Sequence, residues 1–468
     1  MAKAKTKDAA AAMMGASGTK APGAAGGSGA KGKLASASPG DKVRLSCEGG
    51  EYTGILLPSA EGESEFITLK LSSGYNIGIR ISRVKNTEIL EQASAQLHGA
   101  TDKKQHAQKA GSPEGKISIL ACGGTIVNRI DYRTGAVYPA STTDELLAGM
   151  PKEMRGEIRP RMMFPVPSED LSPAHWVELA EAAAEDIEGG AKGVVLTHGT
   201  DTMHYTSAAL SFMLQNLPVP VILTGSQRSS DRGSSDAEAN IRAALSAAKA
   251  DLSGVFICMH ENMSDDFCAL HFGAKARKLH TTRRDAFRSI NVLPAARVFP
   301  MNGKVEKISQ NCPARKPGAK LSLDTKMNTN VAIQYTYPGV KPSAISALSK
   351  YDGVVLVGMG LGHLPVNLAG DRLSQPILKE VQGLVSSGIQ VYLSSQCIYG
   401  RVDMDVYTNG RVLRDSGIIG SMCDMTPETA YVKLMWVLGH EKKPGKVKEL
   451  METNLIGEIS DRTEIVPY

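Results

Sequence analysis

The pattern of hydrophobic and polar residues changes sharply near Gly40. Residues 1–39 consist mainly of alanine, glycine, serine and lysine, with almost no large apolar side chains. Such a segment cannot bury enough surface to offset the entropy of ordering, so a disordered tail is predicted. After Gly40, apolar and polar residues alternate, as in half-buried strands. The alternation predicts a small SH3-like β-barrel over residues 40–91, with strands at Val43 and Leu45, Tyr52 to Leu57, Glu65 to Leu71, Ile77 to Ile81 and Val84 to Leu90.

A polar segment, residues 92–115, is predicted to be a linker. Beyond it, buried apolar runs alternate with segments of helical periodicity, which favours an α/β fold built from parallel βαβ units. The predicted strands are Lys116–Ala121, Gly193–Leu196, Val219–Leu223 and Gly254–Met259, and the predicted helices are His175–Ile187, Ser207–Leu214 and Ser235–Ala248.

The alternation of predicted strands and helices continues toward the carboxyl terminus and divides into two lobes. Residues 116–310 are predicted to form a first lobe. A stretch rich in Lys, Pro and Gly, Asn302 to Asn328, indicates the connection between lobes, assigned to residues 311–328. Residues 329–468 are predicted to form a second α/β lobe, with strands Val331–Tyr335, Gly353–Val357 and Ile389–Leu393 and a helix Pro427–Leu438.

Composition narrows the class of protein. The 468 residues are 42% hydrophobic and 22% charged, typical of a soluble globular protein, and no apolar run approaches the length of a membrane span. No secretory signal is apparent, so a cytoplasmic location is expected. Seven widely spaced cysteines without a C-x-x-C motif favour neither disulfides nor a metal site.

The net charge of +5 is carried by the tail. Residues 1–40 contain six lysines and one aspartate, which account for the whole excess of positive charge. A neutral body is not typical of a protein that grips nucleic-acid phosphates over its main surface.

Two threonine motifs follow the first two predicted strands of the α/β part. Gly123-Gly124-Thr125 follows the first, and Thr197-His198-Gly199-Thr200-Asp201-Thr202 follows the second. Loops at the carboxyl ends of parallel strands form the ligand crevice of such sheets. Two hydroxyls beside a carboxylate there predict a hydrolytic site, with loop amides available to an oxyanion.

A threonine hydroxyl becomes a nucleophile only when a base takes its proton. A solvated Asp201 is too weak a base, whereas a lysine held by a carboxylate would serve, which makes Lys275 and Lys278 candidates. His198 is an alternative base, although a histidine at a strand end is more often a packing or hydrogen-bonding residue.

The segments Ile119 to Ile126 and Leu196 to Met203 resemble the two signatures of the bacterial-type L-asparaginase family. The resemblance runs from about Lys116 to the carboxyl terminus and implies a two-lobed asparaginase-like fold. It implies that Thr125 and Thr200 are catalytic, and it leaves open which of them attacks first. It further assigns Asp201 to the substrate amino group, and Lys278 rather than Lys275 to the catalytic lysine.

The resemblance also implies residues that bind the substrate. Tyr132 matches the tyrosine of a mobile loop that closes the site, and Ser168 matches the serine that binds the substrate carboxylate. Glu169 stands where many free asparaginases carry glutamine. Amides near Gly124 and Thr200 are expected to hold the oxyanion.

Within this family, three segments and the preceding β domain resemble the D subunits of archaeal glutamyl-tRNA(Gln) amidotransferases. The segments are His204 to Phe212, Ser226 to Asp231 and Tyr431 to Gly439. The resemblance implies a glutaminase that feeds ammonia through a tunnel to a larger partner, the E subunit. That partner would bind Glu-tRNA(Gln) and activate it with ATP and Mg²⁺, in an assembly expected to be a heterotetramer.

No cofactor is expected in this chain itself. Two alternatives stay open from the sequence: a stand-alone L-asparaginase with an appended β domain, and a non-catalytic scaffold of the same fold. Physical reasoning from the residues does not separate glutamine from asparagine as the substrate.

Overall fold

The computed structural model describes residues 37–57, 65–71, 76–92, 112–124, 128–130, 137–139, 143–148, 150–228 and 234–462. The described residues up to 92 belong to one compact unit, and those from 112 onward belong to another. The predicted disordered tail lies outside the described residues except for residues 37–39. Most of the predicted linker, residues 93–111, also lies outside them.

The first unit is a five-stranded antiparallel sheet in the order β4-β3-β2-β1-β5. Its strands are β1 Lys42–Cys47, β2 Gly50–Leu57, β3 Phe66–Leu71, β4 Asn76–Arg80 and β5 Val84–Glu91. Val43 and Leu45 are fully buried, whereas Arg44 between them is partly exposed, so alternation along β1 builds a one-sided core. The predicted small β domain is confirmed.

The described part of the second unit contains an eight-stranded sheet, a three-stranded sheet and three two-stranded ribbons. In chain order its described strands are β6 Ile117–Cys122, β7 Asn128–Ile130, β8 Val137–Pro139, β9 Ile158–Met162, β10 Gly193–His198, β11 Leu214–Gln215, β12 Pro220–Thr224, β13 Gly254–His260, β14 Cys268–Phe272, β15 Ala276–Lys278, β16 Phe287–Ser289, β17 Ala296–Val298, β18 Val305–Lys307, β19 Ser322–Leu323, β20 Val331–Tyr335, β21 Gly353–Gly358 and β22 Gln390–Ser395.

Helices cover these sheets. The described α-helices are α1 Thr143–Ala148, α2 Pro173–Glu188, α3 Met203–Met213, α4 Ala237–Lys249, α5 Pro342–Ser346, α6 Leu378–Ser386, α7 Thr408–Asp415, α8 Pro427–His440 and α9 Pro444–Glu452. None of the described helices is long and apolar enough to cross a membrane.

The larger sheet has eight strands in the order β18-β17-β14-β13-β12-β10-β6-β9. The five strands from β13 to β9 are parallel, so their carboxyl ends share one edge. Four of them were predicted, whereas β9, with the sequence Ile-Arg-Pro-Arg-Met, lacks the apolar run that marks the others. β14, β17 and β18 extend the sheet in antiparallel pairing, so the sheet is mixed. The predicted connection from Asn302 to Asn328 contains the strands β18 and β19, which were not predicted. Strands of two or three residues are too short to show a period-two pattern.

The smaller sheet, β20-β21-β22, is parallel and forms the core of the carboxyl-terminal lobe. Helix α8 packs against β21 and also against α3 of the first lobe. Phe212 and Trp436 stack there with ring centroids 6.0 Å apart. One apolar core therefore joins the two lobes, and Tyr431 in α8 meets Tyr205 in α3 edge to face, with ring centroids 6.2 Å apart.

Candidate active site

The two threonine motifs leave adjacent strands at the same edge of the large sheet. β6 and β10 are parallel neighbours, with Cys122 paired with His198 at their carboxyl ends. Gly124 has φ +88°, a conformation that favours glycine. A Cβ at Gly124 would lie 2.7 Å from the amide nitrogen of Gly199, so the two loops touch backbone to backbone.

Lys278 joins the hydroxyl and the carboxylate of the second motif. Its ammonium donates hydrogen bonds of 2.8 Å to Thr200 Oγ1 and 2.8 Å to Asp201 Oδ1. Thr200 is buried, and the side chain of Lys278 is 10% exposed, whereas that of Asp201 is 68% exposed. The structure thus brings the predicted threonine, aspartate and lysine into direct contact, with the aspartate on the solvent side.

Ser168 lies next to this group, at the start of a 3₁₀ turn, Ser168–Asp170. It is buried, and a Cβ on Gly199 would come within 2.8 Å of its hydroxyl. The Thr202 hydroxyl donates a 2.7 Å hydrogen bond to the main-chain oxygen of Ser168. Glu169, the next residue, is exposed. The turn therefore places the buried Ser168 hydroxyl beside Gly199, the residue before Thr200, and continues into the exposed Glu169.

Thr125 and Tyr132 lie outside the described residues. Their assigned roles stay predictions. The described backbone ends at Gly124, the residue that precedes Thr125, and packs there against the Gly199 backbone as stated above.

His198 has the environment of a structural residue. Its Nδ1 lies 2.6 Å from the carbonyl oxygen of Gly199, and its Nε2 lies 2.9 Å from Thr206 Oγ1. Because a carbonyl only accepts, Nδ1 carries the proton, and Nε2 accepts from the threonine hydroxyl. Complete burial lowers the pKa of His198 to about 4. The ring is neutral and fully hydrogen-bonded, so it favours the packing interpretation over a role as base.

Lys275, the other candidate base, is engaged elsewhere. Its Nζ lies 2.8 Å from Asp424 Oδ2, and both side chains are buried. Burial lowers the pKa of Lys275, and the charge of Asp424 opposes this effect. Lys278 is therefore the lysine whose ammonium reaches the threonine motif.

Two contributors to the site were not anticipated. Thr202 supports the main chain of Ser168, and Gly199 leaves the space that the Ser168 side chain fills. The repeated threonine in Thr200-Asp201-Thr202 is the signal that points to the first. In the described part of the chain, no group of three or more histidine, cysteine or carboxylate side chains is arranged to hold a metal ion.

Comparison with family models identifies three segments. Residues 116–312 match the asparaginase amino-terminal model, and residues 330–451 match the glutaminase/asparaginase carboxyl-terminal domain. Residues 37–90, which span the five-stranded sheet except Glu91, match the GatD N-terminal domain.

Known proteins agree with these matches. The chain is 43% identical to the D subunit of the glutamyl-tRNA(Gln) amidotransferase of Pyrococcus furiosus, over 91% of this chain and 95% of the relative. It is 44% identical to the protein of the same name from Methanothermobacter thermautotrophicus, over 93% and 97%. Among solved structures, the thermostable L-asparaginase from Thermococcus kodakarensis is similar, with a TM-score of 0.65 and 33% identity over 74% of this chain and 99% of that one. L-asparaginase I from Vibrio cholerae gives a TM-score of 0.62 and 29% identity over the same shares. The chain therefore belongs to the asparaginase family and, within it, to the D subunits of glutamyl-tRNA(Gln) amidotransferase.

Proposed function

We propose that this chain is the glutaminase subunit of a tRNA-dependent amidotransferase that converts Glu-tRNA(Gln) to Gln-tRNA(Gln). The observation that carries the proposal is the contact of Lys278 with both Thr200 and Asp201, each at 2.8 Å. The contact joins a hydroxyl, a lysine and a carboxylate, the groups that proton transfer and orientation in amide hydrolysis require. The match of residues 37–90 to the GatD N-terminal domain directs this chemistry toward an amidotransferase.

The reaction proceeds in two stages. A threonine hydroxyl, assigned to Thr125, attacks the side-chain amide carbon of glutamine. The hydroxyl proton passes by way of Lys278 to the amide nitrogen, the carbon–nitrogen bond breaks, and ammonia leaves. Water oriented by Thr200 then cleaves the resulting glutamyl ester, and glutamate is released. If Thr200 attacks first instead of Thr125, the ester forms on Thr200. Mass spectrometry of the trapped acyl-enzyme distinguishes the two orders.

The surrounding residues supply recognition. The buried hydroxyl of Ser168 donates to the α-carboxylate of glutamine, while the largely exposed carboxylate of Asp201 is accessible to the α-ammonium. Glu169 lies beside Ser168 and adjusts the same end of the substrate. Amides of the loop at Gly124 stabilise the oxyanion, and Tyr132 belongs to the loop that closes over the bound glutamine.

The relatives are named as subunits, so this chain acts within a complex. The proposed partner is the larger E subunit, which binds Glu-tRNA(Gln) and uses ATP and Mg²⁺ to activate the glutamate, while this chain needs no cofactor. The excess positive charge of the chain lies in residues 1–40, which fits tRNA contacts made mainly by the partner. We propose a heterotetramer of two copies of each chain; the cytoplasmic location stays a prediction.

Amidase assays with and without the partner and charged tRNA test the proposal. Glutamine hydrolysis should be low for the isolated chain and rise when partner and Glu-tRNA(Gln) are present. Thr200→Ala should reduce the rate at least about 100-fold, because a missing hydroxyl removes a reacting or water-orienting group. Thr453→Ala is the matched control, since its hydroxyl bonds Glu449 O at the end of α9.

A stand-alone L-asparaginase is the second candidate, because the chain aligns with 99% of two L-asparaginase structures. That function requires full-rate hydrolysis of asparagine by the isolated chain. Equal rates with and without partner, together with a preference for asparagine, would replace the amidotransferase proposal.

A further inference from the structure

The strand that carries Lys278 lies outside the eight-stranded and three-stranded sheets of the second unit. β15 has three residues, Ala276–Lys278, and pairs with β16 in a two-stranded antiparallel ribbon. A two-stranded ribbon is marginally stable by itself. The position of the Lys278 ammonium therefore depends on what packs against this ribbon.

Two ion pairs tie the residues just before Lys278 to the carboxyl-terminal lobe. Lys275 Nζ lies 2.8 Å from Asp424 Oδ2. Arg277 Nη2 lies 2.9 Å from Glu428 Oε1, and the side chains of this second pair are 19% and 5% exposed. Glu428 stands in the first turn of α8. Side chains alternate along a strand, so within β15 Arg277 points to the second lobe while Lys278 points to Thr200. Lys275 stands in the bend before β15 and reaches the same lobe through Asp424.

The main chain of the ribbon is held by the same segment of the second lobe. The Thr429 hydroxyl donates a 3.0 Å hydrogen bond to Ala274 O. Asn291, which follows β16, donates from Nδ2 to Asp424 O at 3.0 Å. The side chain of Thr426 caps α8 by accepting from Thr429 N. Ala274 precedes β15 and Asn291 follows β16, so residues 424–429 contact both chain segments at the open end of the ribbon, through a capped helix start.

We infer that Glu428 and Asp424, acting through Arg277 and Lys275, are positioning residues that set the place of the Lys278 ammonium. The inference rests on the proposed function, in which Lys278 acts in amide hydrolysis. Its consequence is that catalysis in the first lobe depends on the start of α8 in the second lobe. None of these four side chains is assigned a contact with substrate, and Ser168, which is assigned to the substrate carboxylate, belongs to a different segment. Their loss should therefore lower kcat more than it raises KM.

Arg277→Met tests the inference most directly, because it removes the charge and keeps much of the apolar length. We expect kcat for glutamine in the reconstituted complex to fall about 10- to 100-fold, the cost of a reacting group displaced by about 1 Å, with KM changed less than about two-fold. Arg277→Lys should recover much of kcat because the cation is restored. Gln-tRNA formation from ammonium salts should stay at the wild-type rate.

Arg159→Met is the matched control. Arg159 on β9 forms a similarly buried ion pair with Asp186 of α2, but it pairs in register with Ser118, toward the amino-terminal end of β6. We expect the two Met variants to lose similar thermal stability, while kcat falls only in Arg277→Met. If both variants lose kcat alike, or if Arg277→Met retains wild-type kcat per folded molecule, the positioning role is wrong.

Two further variants separate the possible failures. If Arg277→Met does not fold, Glu428→Gln should still lower kcat with little change in KM, and wild-type kcat in Glu428→Gln would refute the inference. Lys278→Met should abolish glutamine hydrolysis. An inactive Lys278→Met beside a fully active Arg277→Met overturns the positioning role alone, whereas a fully active Lys278→Met overturns the proposed function.

Discussion

Gly124→Ala is the substitution that most sharply tests the packing of the two threonine loops. Gly124 has φ +88°, where a residue with a side chain costs about 1–2 kcal/mol. The added Cβ would also lie 2.7 Å from the carbonyl carbon and oxygen of His198. Non-bonded carbon atoms need about 3.5–4 Å, so the loops must separate by about 1 Å. Such a shift of Thr200 can lower kcat/KM for glutamine about 100-fold, equivalent to about 2.7 kcal/mol of activation free energy.

Gly388→Ala provides the control for backbone strain alone. Gly388 has φ +87°, and a Cβ there would meet nothing within 4 Å. Both variants should therefore lose stability in urea denaturation, whereas steady-state glutaminase assays should show the loss of kcat/KM only for Gly124→Ala. Wild-type kcat/KM in Gly124→Ala, or an equal loss in Gly388→Ala, would show that loop contact does not control the position of Thr200.

Three further predictions concern acid stability, a buried ion pair and substrate binding. Because burial lowers the pKa of His198 from 6.5 to about 4, the unfolded chain binds a proton that the folded chain resists. His198 should therefore contribute about 3 kcal/mol to the fall in the free energy of unfolding between pH 6.5 and 4, and the fall in His198→Gln should be shallower by about that amount. Lys433→Met should cost about 3–5 kcal/mol in urea titrations, because Glu458, also fully buried, loses its cation; a loss below 1 kcal/mol would show that this carboxylate is compensated otherwise. Gly199→Ala should raise KM for glutamine about ten-fold or more, because the added Cβ would come within 2.8 Å of the Ser168 hydroxyl and displace it. An unchanged KM would show that Ser168 does not bind the substrate carboxylate.

The hydrophobic pattern predicted best those strands whose burial follows a single regular pattern along the strand. In the first unit one face of each strand is buried, so alternation located β2 to β5 within two residues of their bounds. In the second unit, continuous apolar runs located the parallel strands other than β9, because both faces of those strands are covered. The antiparallel strands β14, β17 and β18 were missed, and β17 and β18, with three residues each, are too short to show a pattern.

The site shows a similar division. Motif position at the ends of β6 and β10 predicted that Gly124 and Thr200 approach each other, and parallel pairing explains why they do. Residue type alone did not separate Lys275 from Lys278. Lys278 ends the short strand β15, whereas Lys275 stands in the bend before it and reaches the buried Asp424 of the second lobe, a difference that becomes evident only in the folded chain.

Contacts between lobes lay beyond any local pattern. Glu428 is 151 positions from Arg277, and nothing near either residue indicates the partner. The shared core around α3 and α8 brings them together, so the ion pair follows from tertiary packing.

The proposed function requires that the threonine–lysine site of this chain produce the ammonia used for Gln-tRNA(Gln) synthesis. The decisive assay is the formation of Gln-tRNA(Gln) by the reconstituted complex carrying Thr125→Ala, with either glutamine or ammonium chloride as the nitrogen source. We predict that glutamine no longer supports synthesis while ammonium supports it at the wild-type rate. Loss of both activities, or retention of both, would show that the ammonia does not come from this site.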